Sequence, residues 1–282
     1  MSALLAGLVD DAGLFPPTAL PMVEAIARHR RDLESGEPML AHRFLCPATR
    51  IDELRSTLGP DDRISLGLIA SDDGALTAAA AVVDADPRLR PALIEITVDP
   101  GDLETSLRAA TAYGVPVFVE VRDRSDSPRL ASVIAGHDAG LKIRCGGVRS
   151  DLFPTPAEVA DALTAAAAAG VPVKATAGMH HAVRHRDPDT GFVHHGYLNL
   201  VIGAARAAEG ASAADVADAL SITDGTALAA EASALEPDAA AAARRLLTSY
   251  GSCSTATPPA EAAELGLAPS ASALPLSEGT RS

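Results

Sequence analysis

Only two lysines occur among the 282 residues, Lys142 in "LKIRCGG" and Lys174 in "VPVKATAGMHH"; the other 21 of the 23 basic side chains are arginine. Both lysines lie inside short apolar runs. Arginine is the usual residue for a static buried ion pair, because its planar fork takes a carboxylate in bidentate fashion. Lysine has an ability that arginine lacks. Its amine can lose a proton and attack a carbonyl carbon to form a Schiff base. That chemistry needs a neutral amine near neutral pH, so burial or a neighbouring cation must depress the pKa. The plainer alternative is structural, two ammonium groups that neutralise interior carboxylates.

The elements that carry these residues can be read from hydrophobic periodicity. Short β-type runs fall at 4–10, 40–46, 64–70, 93–99, 115–121, 141–145, 171–178 and 246–254. Helical patterns lie between them, clearest at 21–34, 73–85, 102–114 and 156–170. Several end in glycine, and Val-Pro opens the next strand. Eight strands alternating with helices predict an α/β fold, a (β/α)8 TIM barrel with a long insertion between strands seven and eight. An open doubly wound sheet is the alternative, but no glycine-rich dinucleotide fingerprint follows the early strands. One barrel domain is expected over 1–266, with the insertion at about 180–245 and a disordered Ser/Ala/Pro tail at 267–282.

Strand parity then separates packing from chemistry. The helix-covered face must be apolar, which assigns Ile94, Ile96, Val117, Val119, Ile143, Val173 and Ala175 to it. Glu95, Glu120, Lys142, Arg144, Lys174 and Thr176 take the opposite face and converge inside the barrel. Arg144 beside Lys142, with Lys174 on the next strand, is expected to lower the pKa of Lys142.

Bulk composition sets the outer limits. Apolar residues make up 48% of the chain with no tryptophan, so the core must be built from Ala, Val, Leu and Ile. A net charge of −14 argues against nucleic acid or an anionic membrane as partner. No window approaches a membrane span, and three scattered cysteines form neither a disulfide framework nor a zinc motif. A soluble cytoplasmic protein is expected, with a small anionic molecule as partner and a homo-oligomer as an open possibility.

Five of the eight histidines crowd the insertion: His180, His181, His185, His194 and His195. Three uses compete for them: acid–base or substrate contacts, metal ligands, or a solvated loop. His181 and His185 are four apart, which on a helix would place both on one face. Arg184 lies among them and, with Arg144, would make a positive pocket for an anion. Asp10 and Asp11 end strand one, where either could hold substrate hydroxyls or orient a side chain. Cys145 has outward parity and reads as packing, Cys46 could reach the barrel mouth, and Cys253 sits in the last strand's turn.

"LKIRCGG" and "VKATAG" resemble the paired lysine strands of deoxyribose-phosphate aldolase and related class I aldolases. "SYGSCS" resembles the phosphate-binding turn of that family, "GLVDDAGLFPPTAL" its first strand, "RFLCPATRIDEL" its second, and "IEIT" its acidic fourth. The resemblance implies Lys142 as the Schiff-base nucleophile, Lys174 as the lysine that tunes it and Glu95 as a proton relay. It also implies a phosphate seat at Gly178 and the Gly251, Ser252, Ser254 turn. The sequence departs from that family in Arg144, in Met179-His180-His181 and in the long insertion.

The sequence therefore predicts a lyase of the class I aldolase type acting on a small anionic, possibly phosphorylated, carbonyl compound. Lys142, Lys174, Glu95 and Glu120 would be catalytic. Asp10, Asp11, Arg144, Thr176, Gly178, His180, His181, Arg184, His185, Gly251, Ser252 and Ser254 would contact substrate. No cofactor or metal is needed. The alternatives are a metal-dependent hydrolase or isomerase with a divalent metal on His181, His185, His194 or His195, and a silent barrel that binds a metabolite.

Overall fold

Thr155 and Gly170 show how the chain spaces its strands. The Glu158 N–H donates to the Thr155 hydroxyl at 3.2 Å, and the Thr155 N–H donates to the Glu158 carboxylate at 2.7 Å, a reciprocal cap that starts a helix. Gly170 ends that helix in the left-handed region (φ 66°), so the chain turns back at once. The Pro172 carbonyl then accepts from the Leu141 N–H at 2.8 Å and opens the next ladder. Pro116 repeats the device, accepting from the Ile94 N–H at 2.9 Å.

The computed structural model describes residues 2–99 and 101–267. Its strands are β1 (Val9–Asp11), β2 (Leu40–Pro47), β3 (Ile64–Ala70), β4 (Leu89–Val98), β5 (Val117–Val121), β6 (Ala139–Arg144), β7 (Val173–Thr176), β8 (His185–Arg186), β9 (Val193–His194) and β10 (Leu247–Ser252). The helices are α1 (Ser2–Leu5), α2 (Met22–Ser35), α3 (Ile51–Thr57), α4 (Asp73–Asp84), α5 (Leu103–Thr111), α6 (Ser127–Ile134), α7 (Pro156–Ala169), α8 (Tyr197–Ala208), α9 (Ala213–Ser221), α10 (Gly225–Ala234), α11 (Pro237–Leu246) and α12 (Thr257–Glu264). All strands except β8 and β9 close into one parallel barrel, in the order β1-β10-β7-β6-β5-β4-β3-β2. This is the (β/α)8 TIM barrel that the alternation predicts. Pairing of β1 with β10 closes the barrel and removes the open-sheet alternative. Among the described residues no helix is long and apolar enough to cross a membrane.

Three expectations need adjustment. The run at 4–10 is not all strand: Ser2–Leu5 is helical and packs on α11, and pairing starts at Val9. Leu4, Leu5 and Leu8 are all buried, so the run lacks the alternation that marks a half-buried strand. The insertion, for which the sequence predicts no strands, opens with an antiparallel hairpin, β8–β9, and continues in four helices. The tail expected over 267–282 lies, Leu267 excepted, outside the described residues.

The main core fills the space between barrel and helices. A smaller cluster, Ala12, Leu45, Leu93 and Phe118, lies inside the barrel with Phe15 and Ile69 against it. Its members come from the end of β1 and from β2, β4 and β5, strands that also carry Asp10, Arg43, Glu95 and Glu120. The insertion is fixed to this frame. The Tyr197 N–H donates to the His181 carbonyl at 3.0 Å and the Leu198 N–H to the Ala182 carbonyl at 2.9 Å. Gly196 permits that approach. A Cβ there would lie 2.2 Å from the Ala182 oxygen and 2.5 Å from Val183 Cα. Those are backbone atoms that cannot swing aside, so Gly196→Ala should destabilise the protein by about 1–3 kcal/mol, the usual cost of overpacking. A urea midpoint equal to that of the parent would show that the insertion docks differently.

Candidate functional site

Parity and register bring the interior charges together. In the β6–β7 pairing Lys142 lies beside Lys174 and Arg144 beside Thr176. Glu95 on β4 bridges the two lysines, with Oε2 2.7 Å from Lys142 Nζ and Oε1 3.3 Å from Lys174 Nζ. Glu120 on β5 bridges Lys142 at 3.0 Å and Arg144 at 2.6 Å. Asp10 on β1 bridges Lys174 and Arg43, the latter at 2.6 Å. The result is an alternating chain around the axis: Arg144, Glu120, Lys142, Glu95, Lys174, Asp10, Arg43. Each carboxylate lies between two cations, and both ends are positive. Ser249 adds a hydroxyl that donates to Asp10 at 2.8 Å.

Electrostatics reverse one expectation. Burial works against the charge on Lys142, but Glu95 and Glu120 outweigh it and hold the ammonium above the ordinary lysine value. The neighbouring cations do not depress it, because the carboxylates of Glu120, Glu95 and Asp10 alternate with Arg144, Lys142 and Lys174 and offset them. Burial also opposes ionisation of Glu95, yet Lys142 and Lys174 pull its pKa down to about 2. Glu120 is lowered too, against burial, by Lys142 and Arg144. Lys142, Glu95 and Glu120 are thus all held in their charged forms at rest.

That network opens on one cleft at the C-terminal mouth. Lys142, Arg144, Thr176, Gly251, His180 and Cys253 line an inner chamber of ≈ 220 Å³, together with Phe15, Leu45, Ile69 and Leu152. Lys174, Glu95 and Asp10 lie beneath it, fully buried. An adjoining outer chamber of ≈ 320 Å³ runs under the hairpin, past Gly178, Phe153, Phe192 and His194. Another hollow of ≈ 320 Å³ lies over the ends of β3–β5, lined by Asp72, Asp99, Asp102 and Arg122. Neither lysine reaches it.

His180 stands where the two chambers meet. Burial, reinforced by His181, His194 and His185, lowers its pKa to about 4, so the ring is neutral. Ser252 Oγ donates to the Ser254 carbonyl at 2.7 Å, which leaves it to accept from His180 Nδ1 at 3.2 Å. This assigns the proton to Nδ1 and a lone pair to Nε2. Cys253 Sγ lies 3.5 Å from that nitrogen and accepts from the Thr18 hydroxyl at 3.0 Å.

The other candidate residues divide. Asp11 faces outward: its carboxylate takes Arg28, His29 at 3.1 Å and the Gly13 N–H at 3.0 Å, so it braces α2 and does not meet substrate. Ser254 caps the following helix with Thr257 at 2.8 Å. Thus neither serine hydroxyl of the turn is free for a phosphate. Gly251 borders the inner chamber, where a Cβ would come within 3.1 Å of Leu45. His181 binds Glu261, and Arg184 faces His195 at 3.3 Å, away from the cleft. Burial lowers the Arg184 pKa.

His181 and His185 do not share a helix, although their rings touch at 4.6 Å because the chain folds back into the hairpin. His185 Nδ1 donates to the Val183 carbonyl, His194 Nδ1 to the Gly178 carbonyl and His195 Nε2 to the Pro154 carbonyl. Among the described residues no group of three or more His, Cys, Asp or Glu side chains is set to hold a metal ion. Cys46 packs outward with its thiol pushed up to about 12 by burial, not at the mouth. Cys145 is buried as expected. Sequence parity missed Arg43, Ser249 and the aromatic wall of the outer chamber.

Glu95→Gln should lower stability at pH 7 by about 3–5 kcal/mol, since it strands buried ammonium groups; a loss under 1 kcal/mol in urea unfolding would mean the network relaxes. Buried His180 and His195 both titrate near 4, below the unfolded value of 6.5. The unfolded chain therefore binds more protons between those values, and stability should be full above pH 6.5 and decline toward pH 4. The decline should be shallower in His195→Asn, read from urea midpoints across that range.

No protein-family model, curated protein or solved structure matches the chain.

Proposed function

We propose that the protein is a carbon–carbon lyase of the class I aldolase type, forming an imine between Lys142 and a small anionic carbonyl compound. The observation that carries this reading is the position of Lys142. It is the one lysine of the two that lines the cleft, and its amine sits among carboxylates that can take its proton. The resemblance of the lysine strands to those of deoxyribose-phosphate aldolase points the same way, with Glu95 at the acidic position on β4.

The charged resting amine must be discharged before it can react, and the anion supplies the means. Arg144 is the half-exposed end of the charge chain, its side chain 43% exposed. An anion bound there draws Arg144 away from Glu120, and Glu120 becomes more basic. Glu120 then takes the proton of Lys142, and the free amine adds to the carbonyl carbon. The carbinolamine loses water, its oxygen protonated by Glu120, and leaves an iminium ion. For cleavage, His180 Nε2 removes the proton of the hydroxyl two carbons away, the C–C bond breaks, and its electron pair moves into the iminium to give an enamine. The resulting imidazolium returns the proton to carbon. Water then hydrolyses the iminium and restores Lys142. Lys174, Asp10 and Arg43 hold Glu95 in place beneath.

Borohydride reduction with a panel of aldehydes and 2-oxo acids should leave a mass adduct on the Lys142 peptide, absent in Lys142→Arg. Arg144→Gln should lower the rate of pyruvate trapping relative to that of acetaldehyde at least about tenfold, the equivalent of roughly 1.4 kcal/mol, because it removes the seat of the anion while freeing Glu120 for both compounds. Trapping of acetaldehyde, which lacks an anion, should rise as pH increases above 7, because only direct loss of the raised Lys142 proton frees the amine. An empty panel, or an adduct that survives Lys142→Arg, overturns the reading.

A further inference from the structure

We propose that the outer chamber is a binding site for an apolar or aromatic tail, so that the molecule taken is an amphipathic oxo acid with its charged head at Arg144 and its tail under the hairpin. This rests on the reading of Lys142 as the imine-forming residue, but the site itself is argued from its walls.

The two chambers are continuous. Both are bordered by Pro16, Gly147, Val148, Ala177 and His180. A compound whose carbonyl meets Lys142 therefore extends past His180 into the outer space. On β6, Lys142 and Arg144 are two residues apart on one face, a separation of roughly 7 Å along the strand. The anion must accordingly lie close to the carbonyl, as in a 2-oxo or 3-oxo acid, and the rest of the molecule points outward.

The outer walls are built for carbon. Pro16, Pro17, Val148, Phe153 and Phe192 supply them, with Phe153 packed at 5.4 Å from Phe192 and 4.6 Å from the His194 ring. Among the described residues no lysine or arginine borders this chamber. Its one carboxylate, Asp187, is spent within the hairpin turn, where Oδ1 accepts from the Asp189 N–H, the Thr190 N–H and the Thr190 hydroxyl at 2.7–3.1 Å. His194 gives its Nδ1 proton to the Gly178 carbonyl. Its pKa is lowered by burial, so the ring adds no positive charge at neutral pH. Among the described residues a phosphate would find no lysine or arginine here, and the Ser252 hydroxyl proton is given to the Ser254 carbonyl.

Size and rim agree. A dry cavity of about 150 Å³ admits benzene, and this chamber measures ≈ 320 Å³. Val148 stands at the rim 74% exposed, a large aliphatic side chain that a bound tail would cover. Each methylene moved from water into such a site strengthens binding about fourfold.

Dissociation constants of pyruvate, 2-oxobutanoate, 2-oxohexanoate and phenylpyruvate, measured by calorimetry without borohydride, test the site. They should fall about fourfold per added methylene, and phenylpyruvate should bind at least tenfold more tightly than pyruvate. Phe192→Ala, at a residue that borders the outer chamber alone, should weaken phenylpyruvate and flatten the dependence on chain length while leaving pyruvate binding unchanged. Equal constants across the series, no binding by any member, or tighter binding of glyceraldehyde 3-phosphate overturns the proposal. The same series in Lys142→Met separates the two readings. A chain-length dependence that persists there supports the tail site whether or not any imine forms.

Discussion

Glu95 holds two ammonium groups with one carboxylate, and the rest of the interior is arranged around that sharing. A single lysine and glutamate inside a barrel would leave each group short of partners, and buried charge without compensation is costly. The chain from Arg144 to Arg43 solves this by extension: each carboxylate touches two cations, and the two terminal arginines lie where water can reach them. The smaller apolar cluster shares the interior with this chain and draws on the same strands. Phe118 and Leu45 fill the volume that the ionic chain does not need.

The network also separates support from reaction. Lys174, Asp10 and Glu95 are sealed from solvent. Lys142 and Glu120 lie one layer higher, where an incoming anion at Arg144 alters the field they feel. A resting ammonium is thus compatible with amine chemistry. In the reaction proposed, the anion that reacts would also release the proton, and the charged amine would be protected from stray carbonyl compounds until then.

Much of this was legible in the sequence, and the misses have physical causes. On β4 to β7 a strict polar/apolar alternation assigned Glu95, Glu120, Lys142, Arg144 and Lys174 inward, and each is found there. On β2 the neighbours His42 and Arg43 are both polar, and His42 adopts a left-handed conformation (φ 50°) that breaks the period. Arg43, the far end of the charge chain, was lost for that reason. At β1 two adjacent aspartates hid opposite fates, because only the position of α2, with Arg28 and His29, decides which one is braced outside. The hairpin did have a signal. Arg186-Asp187-Pro188-Asp189-Thr190-Gly191 carries turn residues between two histidine-bearing strands, but those strands are two residues each, too short for a period to show.

The hairpin from His185 to His194 is tied by its own bonds. Asp187 gathers the turn, the Arg186 guanidinium donates to the Gly191 carbonyl at 2.5 Å, and only the outer strand residues touch the barrel's face. Residues 187–192 can therefore be exchanged without disturbing a single charge inside. Divergence in this scaffold has a cheap direction: relatives that keep the ionic interior can acquire new preferences through one short turn, and preference and reactivity are inherited as separate parts.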